Sequence, residues 1–96
     1  MSISVRVKNG QIEIFEGSHC TERCGTSVIA ASTDGELIAG LTQDNYVVLY
    51  GTNGSTIRPI TNGASGVSVS GGQIAVSKPD GMTYLYDRNG NRVGQY

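Results

Sequence analysis

The chain has 96 residues, and its seven Lys and Arg residues nearly balance eight Asp and Glu residues, giving a net charge of −1. This length predicts one small domain with a limited core, and the scattered basic residues exclude the positive face that nucleic-acid binding requires. No segment has the apolar length of a membrane span or a signal peptide, so we expect a cytoplasmic protein without a membrane partner.

Short strand-forming segments separated by turn residues fill the sequence. No window carries the 3.6-residue apolar period of a helix, and the 14 glycines would destabilise one. The sequence therefore predicts an all-β fold. In chain order, strands are predicted at residues 3–7, 11–15, 27–32, 37–42, 46–50, 56–60, 66–70, 73–77, 82–86 and 92–96, with a weaker strand at 20–24.

Residues 27–60 and 63–96 are two copies of one pattern at a spacing of 36. The copies share nine identities over 34 positions, where roughly two or three would arise by chance, and such a fixed period indicates a repeat architecture. The identical pairs are Ser32/Ser68, Gly35/Gly71, Ile38/Ile74, Ala39/Ala75, Asp44/Asp80, Leu49/Leu85, Tyr50/Tyr86, Asn53/Asn89 and Gly54/Gly90.

Residues 1–25 are interpreted as a third, incomplete copy. When Ile14 is placed on Leu49 and Leu85, three turn pairs come into register. Asn, Asp and Gly tolerate the positive φ of a two-residue type I′ hairpin turn, so three hairpins are predicted at one phase. This first copy lacks its first strand, which a neighbouring chain could supply. The aligned turn pairs are Asn9-Gly10, Asp44-Asn45 and Asp80-Gly81.

The third strand of each full copy is apolar on both faces. Val47 and Leu49 alternate with Val48 and Tyr50. A strand with water on one side would alternate apolar with polar residues, so this pattern predicts a sheet packed between two others. Tyr50 and its counterpart Tyr86 are then predicted core residues.

These features resemble the blades of short-repeat β-propellers, in which the third strand ends in Leu-Tyr-Asp or Val-Leu-Tyr before Asn-Gly. The chain has no Trp-Asp dipeptide and no Gly-His start, so the resemblance does not extend to the WD40 family. It implies one domain, 1–96, of four-stranded antiparallel blades at 27–60 and 63–96 and a partial blade at 1–25. About 2.5 to 3 blades cannot form a ring, because propellers have at least about four.

The resemblance therefore implies that the ring is closed by homo-oligomerisation. A homodimer with two-fold symmetry is the simplest closed assembly, and a trimer is the next alternative. In an open stack, Ile12, Phe15 and Tyr84 are expected to lie on the exposed end faces.

The segment 16–26 breaks the repeat and contains the single histidine of the chain. It is predicted to be an irregular connection, where binding residues tend to lie on rigid folds. His19, Glu22 and Arg23 are therefore the candidate binding residues for a partner. A second hypothesis places binding between blades, at Tyr46 and Arg58.

Both cysteines, Cys20 and Cys24, also lie in this segment. They lack the Cys-x-x-Cys spacing of structural zinc sites, so we predict structural thiols, no metal and no cofactor. A Cys20–Cys24 disulfide and a metal site shared between copies at a symmetry axis are the open alternatives.

No catalytic constellation is recognised, because the aspartates fall where turns favour Asp. The sequence therefore predicts a non-enzymatic protein-binding adaptor or inhibitor, of a kind that a phage could encode. The alternative is binding of a sugar, nucleotide or metabolite in inter-blade or central pockets, and a third reading is a fragment of a longer propeller. The turn aspartates are Asp34, Asp44, Asp80 and Asp87.

Overall fold

The computed structural model describes residues 3–95, and its regular structure there is entirely β-strand. None of the predicted strand ends within this range differs from the structure by more than one residue; Tyr96 lies outside the described residues. Residues 3–95 include no helix that could cross a membrane. The strands are β1 (Ile3–Lys8), β2 (Gln11–Glu16), β3 (His19–Cys24), β4 (Val28–Thr33), β5 (Ile38–Thr42), β6 (Val47–Tyr50), β7 (Thr56–Thr61), β8 (Gly66–Ser70), β9 (Gln73–Ser77), β10 (Thr83–Tyr86) and β11 (Arg92–Gln95).

These strands form three antiparallel sheets in which each strand pairs with its neighbours in sequence. The first sheet has the order β1-β2-β3, the second β4-β5-β6-β7 and the third β8-β9-β10-β11. The turn between β1 and β2 has φ values of 54° at Asn9 and 79° at Gly10. Both are positive, as a type I′ turn requires, so local turn chemistry fixes this hairpin.

Two hydrophobic cores join the three sheets. Because Val47 and Leu49 lie in one core and Tyr50 lies in the other, the second sheet is buried on both faces, as its apolar third strand predicts. The core between the first and second sheets contains Ile12, Ile14, Cys24, Val28, Ile38 and Tyr50. The core between the second and third sheets contains Leu37, Ala39, Leu41, Val47, Leu49, Ala64, Val69, Ile74, Val76 and Tyr86.

Two equivalent hydrogen bonds between sheets show which strands of the second sheet correspond to β1 and β2. The N–H of Val28, at the start of β4, donates to the Gly10 carbonyl over 2.9 Å, and the N–H of Ala64, just before β8, donates to the Asn45 carbonyl over 3.0 Å. The β1–β2 hairpin therefore occupies the place that the β5–β6 hairpin has in the second sheet. Within residues 3–95, the first sheet has no strand at the position of β4 and β8.

Two of the three residues expected on the end faces lie elsewhere. Ile12 is fully buried between the first and second sheets, and Tyr84 packs against the core between the second and third. The expectation was wrong because alternation along β2 turns Ile12 and Ile14 to the same, inner face. Phe15, one residue along, turns to the outer face of the first sheet and is half-buried.

Candidate functional site

The segment 16–26, interpreted as an irregular connection with a weaker strand at 20–24, contains the whole of the outer strand β3. Backbone pairing with β2 explains the difference, because Glu16 faces His19 across the Gly17-Ser18 turn and Ile12 faces Cys24 at the far end. One register shift, between Ile14 and Phe15, accommodates the departure from the repeat. The candidate residues are thus held on a strand at the edge of the stack.

His19, Glu22 and Arg23 are exposed, but the strand does not direct them to one place. Adjacent strand residues point to opposite faces. A Cβ added at Gly54 would lie 3.4 Å from the Glu22 Cβ, so Glu22 lies beside the β6–β7 turn of the second sheet. Arg23 instead pairs with Glu13 on the outer face. His19 and Glu22 therefore remain available for a partner, whereas Arg23 has a structural contact.

The two cysteines have different surroundings, and both are free thiols. Cys24 is buried in the core between the first and second sheets, and burial raises the pKa of its thiol. Cys20 is half-buried, and its Sγ lies 3.7 Å from the Glu22 carbonyl as a weak donor. Among residues 3–95 there is no group of three or more side chains placed to hold a metal ion.

A charged cluster that the sequence did not reveal covers the outer face of the first sheet. Glu13 is only 5% exposed, and its carboxylate accepts from Arg6 Nε at 2.6 Å and from Arg23 Nε at 3.1 Å. The Arg6 guanidinium also lies 5.0 Å from the centroid of the Phe15 ring. The hydrogen bond from Arg6 is the main reason why the pKa of Glu13 is lowered. We call Arg6, Glu13, Phe15 and Arg23 the charged end face.

The repeat alignment contained a signal for this face. Glu13 occupies the position of Val48 and Tyr84, which pack against apolar cores. A carboxylate at that position needs cationic partners if it is shielded from water. Cross-strand pairing of Arg6 and Arg23 with Glu13 provides them.

The outer face of the third sheet, at the other end of the stack, is more polar than the corresponding face of the second sheet. Its outer residues correspond by the repeat to buried residues of the second sheet, and several apolar side chains are replaced by polar ones. Leu37 corresponds to Gln73, Leu41 to Ser77, and Val47 to Thr83, whereas Ala75 and Leu85 keep their apolar character. Polar outer faces are typical of the terminal repeats of stacked architectures.

The second hypothesis placed binding between blades at Tyr46 and Arg58, but the fold does not bring these two residues together. Tyr46 is 45% exposed and precedes β6. Arg58 lies in β7 opposite Leu49, and its Nη1 donates to the Asn89 carbonyl over 3.0 Å. The guanidinium of Arg58 therefore links the second sheet to a turn of the third.

An open groove of about 380 Å³ lies instead where turns of the second and third sheets meet. The Asp34 carboxylate in this groove already accepts three backbone hydrogen bonds. Its Oδ2 accepts from the Gly72 N–H at 2.7 Å, and its Oδ1 accepts from the N–H groups of Glu36 and Leu37. The groove is lined by Asp34, Gly35, Glu36, Gly71, Gly72 and Arg88.

Three turn aspartates hold backbone amides in the same way. The largest effect on each pKa is a backbone hydrogen bond, from Leu37 to Asp34, from Met82 to Asp80 and from Asn91 to Asp87, and each pKa is lowered. Hydrogen bonds to the ionised form stabilise it. These carboxylates therefore hold the turns in shape while they are charged.

We expect acid to destabilise the fold because these carboxyl groups, together with Glu13, have a lower pKa in the folded than in the unfolded chain. Their contribution is complete above the unfolded pKa, near 4, and is lost as the pH falls through the folded pKa. Thermal melts from pH 7 to about pH 3 should show the melting temperature falling below about pH 4. Asp34→Asn, which keeps the Oδ1 acceptor but does not titrate, should reduce this dependence; a melting temperature that rises on acidification would contradict the assignment.

No protein-family model matches the chain, and no curated protein matches it in sequence. Its structure is similar to that of BamB from Moraxella catarrhalis, with a TM-score of 0.72 and 17% identity over 97% of this chain and 33% of BamB. It is also similar to HIRA(644-1017), with a TM-score of 0.69 and 14% identity over 98% of this chain and 34% of that chain. Both are β-propeller proteins, so the chain has an all-β, propeller-like fold and spans about one third of each structure.

Proposed function

We propose that the chain is a non-enzymatic protein-binding module whose partner contacts the outer strand β3. The observation that carries the proposal is the exposure of His19, Thr21 and Glu22 on the outermost strand of a stack whose inner strands are committed to two cores. Function tends to reside where a rigid scaffold presents exposed polar side chains. Because Glu22 lies beside the turn at Gly54, this turn is part of the same surface.

The turn carboxylates support a role without catalysis. A general acid or base needs a proton that it can exchange near the working pH. Asp34, Asp80 and Asp87 have lowered pKa values because they accept backbone hydrogen bonds, which suits turn stabilisation. An adaptor or inhibitor role, whether or not of phage origin, uses the stack only as a support.

Self-association into a closed ring stays a prediction, with a dimer first and a trimer next. The charged end face would meet the polar outer face of the third sheet in a head-to-tail ring. Because both faces are more polar than the cores inside the chain, we expect this association to be weaker than the packing between sheets within one chain.

Sedimentation at micromolar concentration tests the ring. We expect a closed dimer, and we expect Leu85→Asp, on the outer face of the third sheet, to yield monomers. Ile29→Asp is the matched control, because Ile29 is 52% exposed. A wild-type chain that sediments only as a monomer would contradict ring closure.

The binding surface is tested with a displayed library of short random peptides selected on the immobilised chain. Selected peptides should bind the double variant His19→Ala, Glu22→Ala at least about tenfold more weakly than the wild type, equal to about 1.4 kcal/mol. The melting temperature should change little, because both side chains are exposed. Gln43→Ala with Asp44→Ala, also exposed, is the control and should bind normally.

Two results would overturn the proposal. One is undiminished peptide binding by the His19 and Glu22 variant. The other is a thermal-shift screen in which a sugar, nucleotide or metabolite stabilises the chain, because only a bound small ligand raises the melting temperature in that way. The second result would favour small-ligand capture.

A further inference from the structure

The free edge of β1 is a regular row of unpaired backbone groups. In a two-residue hairpin the residues that flank the turn share both backbone hydrogen bonds, and the pattern alternates along the strands. Lys8 and Gln11 flank the Asn9-Gly10 turn and are paired. The N–H and C=O groups of Val7 and Val5 therefore point away from β2.

An equivalent hairpin in the third sheet supports this geometry. Ser70 and Gln73 flank the two-residue Gly71-Gly72 turn, so Val69 holds the place that Val7 has in β1. The Val69 N–H indeed points away from β9 and donates to Ser32 Oγ over 3.0 Å. For Val5 and Val7, no such side-chain or turn acceptor is present among the described residues.

In the second and third sheets, a strand occupies the position that corresponds to this edge. There, β4 pairs with β5 and β8 pairs with β9, whereas β1 has β2 as its single partner within residues 3–95. As the Val28 and Ala64 hydrogen bonds show, β1 corresponds to β5. The open edge of β1 is thus the place of a missing inner strand.

Most of the other sheet edges carry a proline or a register shift, and β1 has neither. The edge strand β8 also has neither, but its Val69 N–H already donates to Ser32 Oγ. Pro59 and two register shifts interrupt β7, and single register shifts interrupt the pairing of β3, β4 and β11. Natural sheets use prolines and bulges to block unwanted strand addition. All six residues of β1 pair in unbroken register with β2, and β1 contains no proline.

We propose that the open edge of β1 accepts an extended strand from a partner protein, which adds to the first sheet antiparallel to β1. Backbone hydrogen bonds would supply affinity, and alternate side chains would supply specificity. This inference rests on the proposed protein-binding function but assigns a second surface, distinct from β3. The β1 strand of a second copy also has an open edge, but it carries Arg6 and Lys8, whereas β4 and β8, which fill this position in the other sheets, carry no charged residue. We therefore assign the edge to a partner protein.

The strands that fill this position in the other sheets define the chemistry of the partner. β4 has the sequence VIAAST and β8 has GVSVS, so both combine β-branched residues with Ala, Ser or Gly. Ala30 and Val67 pack against the core between the second and third sheets. A partner strand should therefore have small apolar or hydroxyl side chains at alternate positions and no bulky charge on its inward face.

The probe is a fluorescent peptide with the sequence of residues 26–35, added to the full chain and followed by fluorescence anisotropy. We expect saturable binding and, by hydrogen exchange, slower exchange of the Val5 and Val7 amides. Val5→Pro should weaken binding at least about tenfold. Proline lacks the N–H that points to the open edge, whereas pairing with β2 does not use that N–H. Val5→Thr, which keeps the N–H, should bind like the wild type.

A peptide N-methylated at its central residues provides the same test on the wild-type chain if Val5→Pro fails to fold. Absence of binding by the unmodified peptide, or equal binding by the Val5→Pro chain or the N-methylated peptide, would overturn the proposal. The His19→Ala, Glu22→Ala chain should bind this probe normally. Its failure to do so would place strand binding on β3 and overturn the β1 assignment, whereas failure of the β3 proposal alone would leave probe binding unchanged.

Discussion

Replacing Tyr86 with alanine is expected to lower the free energy of unfolding by about 3–5 kcal/mol, as for large-to-small changes at other buried aromatic positions. Tyr86 is 8% exposed and lies in the core between the second and third sheets. Removing the ring leaves a cavity beside Ile74, with which it pairs across β9 and β10. Because a domain of this size has a small total stability, the variant should be largely unfolded at 37 °C.

Tyr46→Ala is the matched control for this experiment. The same atoms are removed, but Tyr46 is 45% exposed, so we expect a change within about 0.5 kcal/mol. Urea unfolding followed by circular dichroism gives both free energies, with the m value as a check on two-state behaviour. Equal losses for the two variants would show that the packing between the second and third sheets contributes little to stability.

Gly40→Ala is expected to destabilise the fold by about 1–3 kcal/mol, although only one methyl group is added. A Cβ at this position would lie 2.9 Å from Ile12 Cδ1 and 3.1 Å from Tyr50 Cε2. Both neighbours are buried in the core between the first and second sheets, so neither has open space into which it can move. Overpacking of this kind displaces side chains from their preferred rotamers.

Gly66→Ala separates this steric effect from the loss of glycine flexibility. Gly66 also lies in a strand, and a Cβ there would lie at an ordinary contact distance of 3.7 Å from the Ser77 Cβ. We expect Gly66→Ala to be neutral or slightly stabilising, because alanine reduces the entropy of the unfolded chain. Thermal and urea melts measure both variants. A Gly40→Ala protein as stable as Gly66→Ala would mean that Ile12 and Tyr50 are not packed as closely as described.

The sequence alone determined the positions of the strands and the all-β fold. Strand positions follow from period-two patterning and from turn residues such as Asn9 and Gly10, which act over a few neighbours and need no tertiary information. The burial of Tyr50 and Tyr86 was also predicted, because a strand that is apolar on both faces needs a sheet on each side. The propeller-like architecture follows from that requirement and the repeat.

Only the tertiary structure decided the roles of the charged residues. Arg23 was interpreted as a loop residue free to bind a partner, but cross-strand pairing of β2 with β3 places it against Glu13. A register shift made this pairing possible, and a single sequence does not reveal such a shift. The position of Glu22 beside Gly54 likewise depends on how two sheets pack.

The repeat predicted that the first copy lacks its first strand, but only the three-dimensional structure showed that β1 carries the resulting open edge. Local patterning predicts that Val5 and Val7 lie in a strand, but it does not say which side of that strand has a neighbour. Strand order is a non-local property, fixed here by the hydrogen bond from Val28 to Gly10 and by the packing of the first sheet against the second. The sequence thus determined what each segment is, and packing between segments decided which surfaces and edges remain for a partner.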